Sequence, residues 1–128
     1  MSEKINWTLN VQVVGGPKIS AAQTVTVDAY DKIQVTIGAG AADEEVDVQP
    51  GGAGRVQFLL ISSDQFGDDL TYKVNNAGDD IKLDAQQLLI GDGAVGLLGT
   101  SPPTTLGFTN NLAQDANIEI LVGRNATA

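Results

Sequence analysis

Across residues 5–13 every second residue is apolar: Ile5, Trp7, Leu9, Val11 and Val13 alternate with Asn6, Thr8, Asn10 and Gln12. Successive side chains of a β-strand point to opposite faces, so this pattern marks a strand with one apolar face. The same period returns at Val25 and Val27, at Ile33, Val35 and Ile37, and at Leu70, Tyr72 and Val74. Val56, Phe58 and Leu60 share one face of a further strand whose other face carries Leu59 and Ile61, so both faces of it are expected to be covered. Shorter strands are expected at 46–48, 81–83, 106–108 and 118–122.

Turn residues punctuate these runs. Gly15-Gly16-Pro17, Gly38-Ala39-Gly40 and Pro50-Gly51-Gly52 are strong breaks, and residues 28–31 and 75–80 read as a turn and a turn-rich loop. Residues 84–91 admit two readings. Asp84 as N-cap, Gln87 at the capping-box position and Gly91 just past the end suit a short helix; the strand-rich surroundings favour a strand.

About nine or ten short strands with at most one short helix predict an all-β, single-domain, antiparallel β-sandwich, jelly roll or barrel. The 128 residues suit one domain over 1–128, with residues 1–4 and 124–128 as tails that a neighbour would have to hold. The expected core is Trp7, Leu9, Val11, Val25, Val27, Ile33, Val35, Phe58, Leu60, Leu70, Tyr72, Val74, Phe108, Ile118 and Ile120.

The chain has no Cys and no His. That removes disulfides, thiolate and imidazole metal sites, and Ser-His-Asp or Cys-His nucleophiles. Seven basic against sixteen acidic residues give a net charge of −9, which repels phosphate and argues against nucleic acid and anionic membranes as partners. The acids gather at Asp43, Glu44, Glu45 and Asp47, at Asp64, Asp68 and Asp69, and at Asp79 and Asp80, each near a turn, as a solvated rim would have them. No charged segment followed by an apolar one opens the chain, and no apolar run nears the ~20 residues that span a bilayer. Synthesis and folding in a cytoplasm are therefore expected.

Each remaining motif has a plain explanation. Paired carboxylates could cleave a glycoside, but these lie in turns, and one Trp, two Tyr and three Phe make a poor sugar platform. Gly67-Asp68-Asp69, Gly78-Asp79-Asp80 and Gly91-Asp92-Gly93 resemble fragments of calcium loops without the spacing of one, and turn chemistry accounts for them. The glycine-rich stretch 91–99 lacks the Lys and Ser/Thr of a phosphate loop and any following helix pattern. Its small residues suggest close backbone approach, within the chain or near an oligomer axis. Asn6-Trp7-Thr8 and Asn125-Ala126-Thr127 match the glycosylation tripeptide, which matters only on secretion. No catalytic, cofactor-binding or metal-binding residue is assigned, and no cofactor is expected.

The β-rich body followed by PGGAGRVQFLLISSD (residues 50–64), LLIGDGAVGLLG (88–99) and LGFTNNLAQDANIEILVGRNATA (106–128) resembles the small virion structural proteins of tailed phages, particularly head decoration or cement proteins. The resemblance covers mainly the second half of the chain and transfers no functional residue. It implies a compact β-rich protein of the virion that sits on the major capsid protein, or another virion protein, as an oligomer, with a trimer the first choice.

The first functional reading is thus a non-enzymatic structural protein. The second is a β-sandwich binding module, an adhesin or carbohydrate binder assisted by calcium, for which Trp7, Tyr30 and Tyr72 are the large aromatic candidates. An enzyme comes third. Self-association is expected from strands with aliphatics on both faces, from the apolar stretch 93–99, and from an exposed edge strand at 117–122 that a neighbouring copy would cover.

Overall fold

The computed structural model describes residues 3–49, 54–99 and 102–125. The Pro50-Gly51-Gly52 break, most of the Asn125-Ala126-Thr127 tripeptide and the outermost residues of both expected tails lie outside the described residues. Ten strands are described: β1 (Glu3–Gln12), β2 (Lys18–Val27), β3 (Ala29–Ile37), β4 (Glu44–Asp47), β5 (Arg55–Ser63), β6 (Leu70–Val74), β7 (Ala77–Lys82), β8 (Gln87–Ile90), β9 (Thr105–Asn110) and β10 (Ala116–Asn125). One helical turn, α1 (Asp92–Val95), runs into a 3₁₀ turn at Gly96–Leu98. The chain is all-β, as its alternation predicts, and residues 87–90 are strand.

Strands β3 to β10 form two four-stranded antiparallel sheets, ordered β3-β10-β5-β8 and β4-β9-β6-β7. Pairing is nested: β3 with β10, β4 with β9, β5 with β8, and β6 with β7. The further pairs β5–β10 and β6–β9 complete the sheets. A long hairpin rolled up on itself gives this order, which is that of a jelly roll. Strands β1 and β2 stand apart as a two-stranded sheet of their own.

The core fills the space between the two four-stranded sheets. Ile37, Leu59, Ile61, Ile118, Ile120 and Val122 from one sheet meet Val46, Leu70, Tyr72, Val74, Leu106 and Phe108 from the other, all buried. The Tyr72 and Phe108 rings lie 5.7 Å apart at 43° on adjacent strands, a tilted arrangement that aromatic quadrupoles favour. Burial pushes the Tyr72 hydroxyl up to about 12, and that hydroxyl donates to Gln87 Oε1 at 2.5 Å. At one end of the sandwich Arg124 pairs with Asp31. The Gln49 amide donates to Pro103 O at 2.7 Å and accepts from Gly54 N at 2.8 Å.

Several expectations from the sequence are corrected. Residues 28–31 are not a turn: only Asp28 interrupts the run from β2 into β3, and its N–H donates to Arg124 O at 2.9 Å, which continues the ladder. Residues 75–80 are not a loop. Asn75 and Asn76, at φ 56° and 57°, form a two-residue turn that leads directly into β7, and Asn tolerates this left-handed region better than most residues. Arg124 is no free tail but a buried strand residue. Lys4 likewise belongs to a strand.

Strand β10, which holds residues 117–122, is no edge. It is hydrogen-bonded on both sides, to β3 and β5. The glycines of 93–99 do not mark close approach within the chain, since a Cβ built on Gly93, Gly96 or Gly99 would meet nothing within 4 Å. That stretch forms α1 and the 3₁₀ turn instead, anchored by buried Val95.

Candidate functional site

The strongest departure from a closed jelly roll is the β1–β2 hairpin. Ten residues from each strand pair in unbroken register from Glu3↔Val27 to Gln12↔Lys18, so the arm is ~33 Å long at the usual rise per residue. Its tip is closed by Val13 N–H donating to Pro17 O and Gly16 N–H donating to Val13 O. Gly15 there has φ 74°, a conformation glycine adopts freely.

The two faces of the arm differ in chemistry. On one, Thr24 Oγ1 donates to Asn6 Oδ1 at 2.7 Å and Ser20 Oγ donates to Asn10 Oδ1 at 2.9 Å. Lys4 and Lys18 occupy the same alternate positions. The other face carries Ile5, Trp7, Leu9 and Val11 opposite Val25, Gln23, Ala21 and Ile19, with Val13 next in the alternation at the tip.

Only the root of that apolar face is covered. A Cβ on Gly123 would lie 2.7 Å from Ile5 Cδ1, 3.2 Å from Val27 Cγ1 and 3.3 Å from Phe58 Cβ, so the arm meets the outer face of the β3-β10-β5-β8 sheet at a glycine. Val27 and Phe58 are buried there, outside the main core. The expectation that Val56 and Phe58 share a face is therefore corrected. Phe58 pairs with Gly123 and Val56 with Arg124, which leaves Gln57 as an extra residue. That bulge turns Val56 inward and Phe58 outward, under the arm.

Beyond the root the apolar face is bare. Leu9, Val11, Val13 and Ile19 are 40, 48, 58 and 65 % exposed, and Val14 at the tip is 99 % exposed. Leu9 and Val11, expected in the core, are thus surface residues. Trp7 and Val25 are half-buried, as are Ile33, Val35 and Leu60, also expected in the core. The Trp7 Nε1–H is buried with no hydrogen-bond partner.

The expected acidic clusters do not converge on a reaction centre. Glu45 accepts from Asn76 at 2.5 Å, Asp80 lies 3.9 Å from Lys73, and Asp92 lies 3.7 Å from Arg55. Asp64 accepts from the backbone N–H and the side-chain amide of Asn117, both at 2.8 Å. Those two donors hold its carboxyl below the usual range. Among the described residues no three His, Cys, Asp or Glu side chains are placed to hold a metal ion, and no helix is long and apolar enough to cross a membrane.

Of the expected aromatic platform, Tyr72 is buried, Trp7 is half-buried and Tyr30 is 53 % exposed. Tyr30 borders a cleft of about 310 Å³ at the arm root with Glu3, Lys4, Ile5 and Leu121. Sequence reasoning found the apolar stripe of β1 and placed it in the core. The signal that could have separated the two is the tip sequence Val13-Val14-Gly15-Gly16, which ends the stripe on two adjacent apolar residues beside a turn. Compared with known protein families, characterised proteins and solved structures, the chain gives no match.

Proposed function

We propose that this chain is a non-enzymatic structural protein of a tailed-phage virion that decorates or cements the capsid, assembling through the β1–β2 arm. The observation that carries the reading is the bare apolar face of that arm on an otherwise acidic molecule. Large exposed apolar patches are uncommon on monomeric proteins and mark surfaces that meet other macromolecules. The dispersal of the acids, with Glu45, Asp64, Asp80 and Asp92 each held by a different neighbour, supports a role without catalysis. The jelly-roll order supports it by analogy only, since viral capsid domains, lectins and cupins share that architecture. In this reading the partners are the major capsid protein or another virion protein and further copies of the chain, a trimer being the first expectation.

The test is to band particles from a culture producing the protein on a density gradient and identify their chains by mass spectrometry. The expected result is this chain in the particle band at a fixed ratio to the major capsid protein. Its absence from particles, with abundant free protein in the same lysate, overturns the reading.

A second reading, a carbohydrate-binding module, rests on Tyr30 beside the arm-root cleft, where an exposed ring borders Glu3 and Lys4. Binding on a glycan array that Tyr30→Ala abolishes would favour it.

A further inference from the structure

We infer that the apolar face of the β1–β2 arm is covered by the same face of another copy of this chain, so that arms from different subunits pack together around the axis of a closed homo-oligomer. The inference rests on the reading of the chain as a structural assembly protein and names the contact it uses.

Three observations point to a second copy as the occupant. The first is the instability of the arm as it stands. A two-stranded ribbon is marginal in water on its own and needs further strands or a packed face to hold. Beyond Ile5 and Trp7 this one has neither, yet one whole face is Leu9, Val11, Val13, Ala21 and Ile19. The opposite face is already satisfied by its Asn6–Thr24 and Asn10–Ser20 hydrogen bonds. One-sided chemistry of this kind suits a ribbon buried on one side only, as in stacked sheets about 10 Å apart.

The second is charge. Residues 3–27 contain Glu3, Lys4 and Lys18, a net +1, while the other fifteen acids and five bases put ten net negative charges on the rest of the chain. Two copies meeting body to body face that repulsion in full. Two arms meeting do not, because each is nearly neutral and its lysines occupy the alternate, polar-face positions. The arm is thus where copies of this chain meet at least electrostatic cost.

The third is shape and size. An apolar strip is complementary to itself, as the isologous contact of a twofold dimer requires, and three such strips can equally face one threefold axis. A ribbon ~33 Å long and two strands wide offers less than the ~800 Å² per partner of a standard interface. The contact therefore sits at the weak end of specific association, and the oligomer forms and dissociates with concentration.

Because the chain has no Cys, single cysteines read this geometry directly. Leu9→Cys, Val11→Cys and Ile19→Cys sample the apolar face, and Thr8→Cys samples the polar one. Under mild oxidation at least one apolar-face variant is expected to form a disulfide-linked dimer many times faster than Thr8→Cys. Light scattering of the unmodified chain should show a dimer or trimer that dissociates on dilution and is unchanged or strengthened by high salt. The double substitution Leu9→Glu with Val11→Glu should give a monomer that keeps the far-UV strand signal of the two four-stranded sheets, while the amides of β1 and β2 exchange faster than in the unmodified chain.

Equal crosslinking from both faces, a monomer at every concentration, loss of the oligomer on adding salt, or an intact oligomer in the double variant each overturns the inference. The particle experiment separates the two claims. A monomeric chain found on virions overturns the arm-to-arm contact and leaves the virion role standing, whereas arm-linked oligomers absent from virions do the reverse.

Discussion

Gly123 lies directly beneath Ile5, and a single methyl group added to it would come within 2.7 Å of the Ile5 Cδ1. The arm is seated through this contact, and the identity of the facing atom sets the cost of filling it. Ile5 Cδ1 is the end of a flexible side chain and can rotate away, while Val27 Cγ1 at 3.2 Å and Phe58 Cβ at 3.3 Å need give by only a few tenths of an ångström. Gly54 faces a harder obstacle, since a Cβ there would stand 2.5 Å from the backbone oxygen of Asn125. Gly123→Ala should therefore stay within about 1 kcal/mol of the parent in chemical denaturation, and Gly54→Ala should cost about 1–3 kcal/mol. Hydrogen exchange should show the β1 and β2 amides opening faster in Gly123→Ala.

Phe58→Ala and Phe108→Ala should each cost about 3–5 kcal/mol, since both rings are buried. They should differ in what comes loose. Phe108 packs in the core against Tyr72, so its loss should lower protection in both four-stranded sheets. Phe58 lies under the arm root, so its loss should release the arm first. Residue-resolved hydrogen exchange distinguishes the patterns, and identical patterns would show that the bulge at Gln57 does not separate the two rings.

Tyr72 gives the fold a weakness in alkali. Its hydroxyl ionises at about 12 in the folded chain, above the ordinary value of 10.0. The unfolded chain thus releases the proton first. The stabilisation is complete below pH 10 and is lost as pH rises from 10 through about 12. The total is on the order of 2–3 kcal/mol. Tyr72→Phe should flatten the denaturation midpoint over that window, at a cost of about 1 kcal/mol at neutral pH from the lost bond to Gln87.

Asp64 acts at the other end of the scale. Its carboxyl is held low by the two Asn117 donors, so its contribution is present above the ordinary carboxylate value of 3.8 and is lost as pH falls through the depressed folded one. The group is fully solvated, so the effect on stability is small. NMR titration is the suitable measurement, and Asn117→Ala should move the Asp64 midpoint upward by removing the side-chain donor.

Arg124→Ala should destabilise by about 2–4 kcal/mol, less than a fully buried pair because Asp31 retains some solvent contact. Asp31→Asn in the same background should recover part of the loss, measured as a shift in denaturation midpoint. No recovery would show that packing of the Arg124 stem, rather than its charge, is what the fold uses.

The fold class was legible because a period of two survives in short stretches and the glycine and proline breaks are frequent. The burial of individual strands was less so. Alternation says that one face is apolar and does not say what covers it, so Leu9 on the bare arm reads like Val74 in the core. The facing of Phe58 was hidden because the bulge at Gln57 is set by pairing with β10, far away in sequence. The Asn75-Asn76 turn was readable and was missed among the polar residues around it. Asp28 misled in the opposite sense: a turn-forming residue stands in a nearly continuous strand, held by Arg124 O and Asn125 Oδ1.

That continuity gives the arm a mechanical character. It is cantilevered from β3 through Asp28, with no linker of several residues between them. A load applied between the tip and Asp115, just before β10, passes through Asp28 into β3 and pulls on opposite ends of the β3–β10 ladder, so that it loads those hydrogen bonds in shear. A load on the Ala29 and Arg124 ends, which pair with each other, would unzip the same ladder one bond at a time. Single-molecule pulling between residues 14 and 115 should accordingly give one abrupt, high-force rupture, and pulling between residue 14 and the C-terminus, which loads the Ala29–Arg124 end alone, should give gradual opening at lower force.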